Sequence, residues 1–240
     1  EKYGNLDGID MASRAKANEL VLLGPKDASG HHIPGGGLLG QAERDLAEAE
    51  EALNNATKTS VGSPKHLDDL IRKKNDAWNR VQDLRALRDQ MTDPDVTLVA
   101  LQPGKPGENV RAALAIGDVD NADHDATLVP GRTTNCRDSS ADNVTYAQNL
   151  RRAAARQGNI DPSKVATIAW MNSHAPQSGP DARTTTATLA REGADPLRNF
   201  ATGIRSWRSE RGMDVHQSII PHSYGSTTAG IAMRSIGKDV

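Results

Sequence analysis

The sequence predicts an α/β fold, in which a mostly parallel β-sheet is covered by helices and preceded by an N-terminal helical hairpin. Two observations lead to this prediction. After residue 120, short apolar runs alternate three times with helical stretches, a pattern typical of β/α repeats around a parallel sheet. Before residue 93, apolar residues recur at spacings of three and four, which is typical of long amphipathic helices.

Residues 1–40 are predicted to form an irregular entry segment. A short helix is expected over about residues 12–23, and a loop with the triplet Gly35-Gly36-Gly37 follows it. The triplet lacks the Lys-Ser/Thr ending of a phosphate-binding loop and follows no strand. It is therefore interpreted as a flexible linker.

Residues 41–92 are predicted to form the helical hairpin. One helix is expected over about residues 41–57, and Ser63 is placed to cap a second helix whose apolar stripe runs from Leu67 to Leu87. The many charges on the outer faces are typical of solvated helix surfaces. Two interpretations remain open: a hairpin packed on the rest of the fold, or a projecting arm that binds a partner.

Residues 93–240 are predicted to form the α/β core. An antiparallel pair of edge strands comes first, joined by a Pro/Gly-rich loop, and three further strands each precede a helix. The expected strands cover residues 96–101, 110–116, 126–130, 165–170 and 215–220. The expected helices cover about residues 141–157, residues 183–211 with an interruption near Asp195-Pro196, and a segment that begins near Thr227.

Composition argues against several classes of protein. With 29 basic and 31 acidic residues, the chain has no net field that would attract nucleic acid. No apolar run approaches the roughly 20 residues that span a bilayer, so we predict a soluble chain without a transmembrane segment. The single cysteine, Cys136, forms no internal disulfide and matches no metal-ligand spacing. No cofactor or metal is expected. No signal-like segment follows Glu1, and a single cysteine does not fix the compartment, which stays open.

The motif that indicates chemistry is the run from Pro221 to Gly225, which follows an apolar strand and precedes a helix rich in small residues. It has the form of a G-x-S-x-G nucleophile elbow with proline in the first position. In such a turn the serine hydroxyl stands above the sheet, and the next backbone N–H faces the developing oxyanion. Ser223 is therefore the candidate nucleophile.

Three loops are expected to converge on this serine, because ligands bind beyond the carboxyl ends of parallel strands. The loops are those at residues 131–133, 171–174 and 221–223.

At this level of detail the chain resembles the α/β-hydrolases, and specifically an actinobacterial branch of unknown function with a Gly-His-Ser-Tyr-Gly-Ser elbow. Several motifs besides the elbow carry the resemblance, which covers most of the chain except the helical hairpin. They are Gly4-Asn5-Leu6-Asp7-Gly8-Ile9 with Arg14 and Ala17-Asn18, Ala115-Ile116-Gly117-Asp118 with Ala122-Asp123-His124, Val129-Pro130-Gly131 with Thr133-Thr134, and Ala169-Trp170 with Ala175-Pro176-Gln177.

The resemblance implies a nucleophilic Ser223 and an oxyanion hole made by the backbone N–H groups of Tyr224 and Arg132. The elbow itself would consist of Pro221, His222 and Gly225 around the serine. Pro221 departs from the family pattern, since proline adds bulk and removes an N–H where strand and helix crowd together. We therefore expect an altered turn.

The acid and histidine of a catalytic triad are not assigned by this resemblance. Elbows of this type draw both from later strands, whereas Val240 lies seventeen positions after Ser223. The fold is thus expected to be truncated after the elbow helix, and another chain or a further C-terminal segment is expected to complete it.

Histidines already present are weak substitutes for the missing base. His222 adjoins Ser223, but neighbours on an extended segment point to opposite faces. His174, at the mouth of the neighbouring strand, is the one stand-in considered, against the interpretation of an ordinary loop histidine. His124 with Asp123 and Asp125 lacks a convincing metal-site arrangement.

Two functions follow from these observations. The first is a serine hydrolase, esterase- or lipase-like, that cleaves a small or lipid-like ester, a thioester or an amide through an acyl-enzyme on Ser223. The second is a catalytically incomplete hydrolase scaffold that acts as a structural or partner-binding component of a larger assembly.

Overall fold

The computed structural model describes residues 3–59, 63–177 and 187–236. Within these ranges the chain forms six α-helices and five β-strands. The helices are α1 (Met11–Leu23), α2 (Gly37–Thr59), α3 (Pro64–Gln90), α4 (Cys136–Gly158), α5 (Thr188–Ser209) and α6 (Tyr224–Ile236). The strands are β1 (Val96–Gln102), β2 (Arg111–Ile116), β3 (His124–Val129), β4 (Val165–Met171) and β5 (His216–Pro221).

The five strands form one sheet in the order β1-β2-β4-β3-β5. β2 is antiparallel to both of its neighbours, whereas β3 is parallel to β4 and β5. Four strands therefore run in the same direction, and their carboxyl ends lie at one edge of the sheet. The predicted fold class is confirmed, with β1 at the edge and β2 as the one reversed strand.

Helices cover both faces of this sheet. On one face, α4, the N-terminal end of α2 and the C-terminal end of α3 bury a core that includes Leu84, Leu98 and Leu114. On the other face, α5 and α6 pack against a second core around Trp170, Leu197 and Phe200. Burial on both faces explains why β4 is apolar at nearly every position rather than alternating.

The helical hairpin combines features of both interpretations drawn from its sequence. Its base is packed, since Ala42 on α2 and Val81 on α3 belong to the core beneath β1 and β2. Its tip projects: among the described residues, none between Ala42 and the end of α2, and none of α3 before Val81, is buried. Ile71 and Trp78 on α3 are 41% and 45% exposed.

A buried carboxylate joins the base of the hairpin to the core. Asp83 of α3 is fully buried and accepts hydrogen bonds from the backbone N–H groups of Val110 (3.1 Å) and Arg137 (2.9 Å). The Arg137 guanidinium also lies 3.1 Å from this carboxylate. The hairpin is thus attached to both β2 and the start of α4.

The entry segment covers the outer edge of β1. The Asn5 side chain accepts from the Leu101 N–H at 2.9 Å and donates to the Leu101 carbonyl at 2.7 Å, as a neighbouring strand would. Arg14 donates to the Val99 carbonyl and Asn18 to the Leu98 carbonyl, where the β1–β2 register shifts. These three side chains satisfy a strand edge that would otherwise be open to pairing with another chain.

Two predicted features differ from the structure. The glycine triplet is not a flexible linker: α2 begins at Gly37, and a β-carbon on Gly24 would lie 2.6 Å from the Gly37 nitrogen, so two backbone segments cross closely there. The interruption near Pro196 is also wrong, because α5 runs through it. Burial of Ala194 and Leu197 against the sheet holds the helix despite the missing N–H.

Helix boundaries account for the remaining differences. α4 begins at Cys136 rather than near Ala141, because the Asn135 side chain caps it by accepting from the Asp138 N–H at 2.9 Å. α6 begins at Tyr224 rather than near Thr227. The predicted start near Arg183 lies outside the described residues. None of the helices within the described ranges is long and apolar enough to cross a membrane.

Candidate active site

The turn that carries Ser223 is a sharp strand-to-helix connection. β5 ends at Pro221 and α6 begins at Tyr224, so only His222 and Ser223 lie between them. Ser223 has a φ of 54°, a left-handed conformation that few residues other than glycine adopt. Its side chain is exposed. A strained, exposed serine at the carboxyl end of a parallel strand is the geometry of a nucleophile elbow.

The N–H that Pro221 lacks would not have bonded β3, and the altered turn stays a prediction. The His222 N–H donates to the Val129 carbonyl at 2.9 Å, and alternate residues of a strand turn their N–H groups to the same neighbour. The Pro221 nitrogen therefore faces away from β3, toward the side of β5 on which the structure describes no neighbouring strand. No hydrogen bond to β3 is lost by having proline there.

The last position of the motif, Gly225, is sterically crowded. A β-carbon on Gly225 would collide with the Val129 carbonyl oxygen and lie 2.5 Å from that of Pro130. The first turn of α6 thus passes directly over the end of β3, and only glycine leaves room for it. This contact keeps the elbow and the loop after β3 together.

The loop after β3 lies against the serine. A β-carbon on Gly131 would lie 2.7 Å from Ser223 Cβ and 3.1 Å from its hydroxyl oxygen. The next residue, Arg132, is exposed, and its N–H has no hydrogen-bond acceptor in the part of the chain that the structure describes. Tyr224 is the first residue of α6, so its N–H lies in the first turn of that helix, directly after Ser223.

Residues after β4 hold this loop in a strained conformation. Thr133, a β-branched residue, has a φ of 61°, and its N–H donates to the Pro176 carbonyl at 2.7 Å. The Gln177 side chain donates to the Thr134 carbonyl at 3.0 Å. The run Ala175-Pro176-Gln177 is part of the family resemblance, but its sequence does not indicate this role. The residues that it contacts, Thr133 and Thr134, lie more than forty positions earlier in the chain, so no local signal identifies them.

His174 is placed beside the loop between β1 and β2. The Lys105 backbone N–H, and to a smaller extent His174, hold the pKa of Glu108 in that loop below its ordinary value. β4, which precedes His174, is separated from β5 by β3, about 10 Å from axis to axis. Within the described ranges, no histidine is hydrogen-bonded to the Ser223 hydroxyl. His222, also considered from the sequence, is exposed.

The described residues do not favour a cysteine nucleophile or a metal site. Cys136 is fully buried, and burial raises the pKa of its thiol well above the ordinary value, so it is unsuited to act as a thiolate nucleophile. No group of three or more metal-ligating side chains occurs in the described ranges. His124 and His216 lie with ring centroids 5.6 Å apart at the opposite end of β3 and β5.

Known proteins resemble this chain over most of its length. "Uncharacterized protein Rv2079" of Mycobacterium tuberculosis (strain ATCC 25618 / H37Rv) is 31% identical over 97% of this chain, and this chain spans 33% of its length. "Uncharacterized protein Rv0963c" of the same strain and "Uncharacterized protein Mb0988c" of Mycobacterium bovis are each 33% identical over 65% of this chain, which spans 59% of their length. The expected likeness to actinobacterial proteins is confirmed.

A family model described as "Alpha/beta hydrolase" matches residues 105–240, more than half of the chain. The matched region contains β2 to β5, the loop after β3 and the whole elbow. The chain therefore belongs to the alpha/beta hydrolase family.

Proposed function

We propose that this protein is a serine hydrolase that cleaves an ester, thioester or amide through an acyl-enzyme on Ser223. The observation that carries the proposal is the placement of Ser223 at positive φ in a two-residue strand-to-helix turn, in contact with the Gly131 backbone. Positive φ on a serine is a strained conformation, and strain of this kind clusters at functional sites.

Each part of the site has a place in the reaction. The Ser223 oxygen would attack the substrate carbonyl carbon while its proton passes to a base within hydrogen-bond reach. The N–H groups of Tyr224 and Arg132 would donate to the oxyanion that forms on the carbonyl oxygen. Collapse of this intermediate expels the protonated alcohol, thiol or amine, and water then releases the acid and regenerates the serine. The proposal assigns the nucleophile and the two donors to this chain and leaves the base unassigned.

The open position of Ser223, which a carbonyl group can approach from solvent, supports an esterase- or lipase-like substrate as part of the proposal. Many unrelated chemistries occur on this fold, so the substrate class needs a comparison of ester, thioester and amide hydrolysis.

Covalent labelling with a fluorophosphonate probe tests the proposal, since such probes react with an activated serine. We expect labelling of the complete protein that is lost in Ser223→Ala. Ser226→Ala is the matched control: this serine is exposed and lies one helical turn away. Absence of labelling in a folded, complete protein would refute the proposed activity.

The second candidate function is a hydrolase scaffold that binds a partner without catalysis. The exposed Ile71 and Trp78 on the projecting part of α3 favour it, because large apolar side chains on such a tip are costly to leave in water. A folded protein that fails to label at Ser223, but forms a stable complex lost in a double alanine variant of Ile71 and Trp78, would support this function.

A further inference from the structure

A cavity of about 230 Å³ lies between the sheet and helices α5 and α6, away from the elbow. Asp125 and Gln217, paired across β3 and β5, line it, whereas Ser223 follows the other end of β5. Four residues of each strand follow the Asp125–Gln217 pair before the strands end, which places the pair about 13 Å from the strand ends near Ser223. The lining of the cavity includes Asp125, Thr127, Arg205, Gln217, Ile219 and Met233.

The cavity contains a buried acceptor that the fold does not use. Asp125 is 3% exposed, and its Oδ2 atom has no hydrogen-bond partner among the described residues. Buried polar atoms are nearly always paired with protein groups, water or a ligand. This carboxylate oxygen is therefore available to a hydrogen-bond donor that enters the cavity.

Charges around the cavity restrict what this donor is. The exposed Arg205 lines the opening, and the guanidinium of Arg208 and the ring of His216 are close enough to influence the pKa of Asp125. These groups disfavour a cation. The Asp125 carboxylate itself disfavours an anion, because a second negative charge would share the same buried space.

A neutral hydroxylated molecule satisfies both restrictions. One hydroxyl would donate to Asp125 Oδ2, and a neighbouring hydroxyl would accept from the Arg205 guanidinium. The Gln217 amide donates to the Ala201 carbonyl at 3.2 Å and lies close enough to Asp125 to lower the pKa of its carboxyl. Ile219 and Met233 provide apolar contact for the carbon chain.

We propose that this cavity binds a small polyol, a neutral molecule of three to five carbons with adjacent hydroxyl groups, through Asp125 and Arg205. The volume of about 230 Å³ has room for a molecule of this size, since a cavity of roughly 150 Å³ already holds a six-carbon ring. The proposal concerns a place separate from Ser223 and does not depend on the proposed hydrolase activity.

Titration of the complete protein with erythritol, followed by ¹H–¹⁵N NMR, tests the proposal. We expect saturable shifts of the Gln217 side-chain amide and the Thr127 backbone amide, with a dissociation constant on the order of millimolar for so small a ligand. The matched control ligand is 1,4-butanediol, which keeps the chain length and lacks the two inner hydroxyls. The affinity for 1,4-butanediol should be lower than that for erythritol by about tenfold or more.

Two variants locate the site. Asp125→Asn keeps the side-chain shape, and Asp125→Leu keeps its branching but removes both acceptors. Both should weaken erythritol binding about tenfold or more. Circular dichroism confirms that each variant is folded, and Ser223→Ala should bind as the unmodified protein does. Equal binding of butanediol, binding retained in both Asp125 variants, or no saturable shift would overturn the proposal.

Discussion

The Tyr224 hydroxyl accepts a hydrogen bond from the Ala190 backbone N–H, with 3.1 Å between oxygen and nitrogen. Tyr224 directly follows Ser223, and Ala190 lies in the first turn of α5, whose N-cap residue, Ala187, makes no side-chain capping bond. The tyrosine side chain thus takes the place of a cap and joins the elbow to a second helix.

Replacing Tyr224 with phenylalanine should lower the free energy of unfolding by about 1 kcal/mol, because the Ala190 N–H loses its acceptor. Amide hydrogen exchange should become faster at Ala190. Tyr146→Phe is the control, since Tyr146 is 61% exposed and should change stability by less than about 0.5 kcal/mol. Unchanged exchange at Ala190 would show that the hydroxyl is not its acceptor in solution.

Gly131→Ala should impair the site with little effect elsewhere. The added methyl group would lie 2.7 Å from Ser223 Cβ, so the serine or the loop must move. A displacement of about 1 Å is enough to slow reaction on the order of 100-fold, which the rate of fluorophosphonate labelling measures. Gly230→Ala provides the control: it lies in α6 with open space around its Cβ position, and should label normally and stabilise the helix by about 1 kcal/mol.

Pro221→Gly restores the usual first residue of the motif. Because the proline nitrogen faces away from β3, we expect no change in the rate of labelling. Stability should fall by about 1 kcal/mol, since glycine gives the unfolded chain more freedom. A tenfold gain in labelling, measured beside Ser223→Ala as the blank, would instead mean that proline strains the elbow.

Asn5→Ala should loosen the edge of the sheet. Two hydrogen bonds to Leu101 are lost, which costs about 2 kcal/mol at about 1 kcal/mol each. Urea unfolding measures the total, and amide exchange at Leu101 locates it. Asn54→Ala, at an exposed position of α2, should stay within about 0.5 kcal/mol of the unmodified protein. Equal effects of the two substitutions would contradict the role of Asn5.

Stability should depend on the ionisation of Asp125. Burial, partly offset by the Gln217 hydrogen bond and the positive charges of Arg208, Arg205 and His216, raises the pKa of this carboxyl from 3.8 to about 6. A raised pKa in the folded state favours the protonated form, so its contribution is complete below pH 3.8 and is lost as pH rises through about 6.

The size of this loss is about 3 kcal/mol for a shift of roughly two pKa units. It should be visible as a decline in the free energy of unfolding over that pH range, which Asp125→Asn lacks because the amide does not titrate. Parallel pH curves for the two proteins would mean that Asp125 keeps an ordinary pKa.

Local sequence patterns identified most of the elements correctly. Strands of about six apolar residues and helices with a three-four spacing are recognisable because each pattern depends on neighbours within one or two turns. The elbow was recognisable for the same reason, since all five of its positions are consecutive. Helix starts were less accurate. The cap at Asn135 was missed, and α6 begins at Tyr224, directly after the turn, earlier than its composition indicates.

Contacts between distant segments decided the rest. The roles of Pro176 and Gln177 in holding the loop after β3 depend on partners in another segment. Pro196 stays within a helix only because that helix is packed on the sheet, and Pro221 is tolerated only because of the direction in which its nitrogen faces.

The sequence by itself therefore determined the fold class, the family resemblance and the candidate serine, because these depend on patterns that short stretches of chain repeat. Only the tertiary structure decided that Tyr224 joins the elbow to α5, that Gly131 lies against Ser223, and that one oxygen of the buried Asp125 carboxylate has no hydrogen-bond partner among the described residues. Hydrogen bonding, close packing and burial between residues far apart in the chain exist only once the elements have come together.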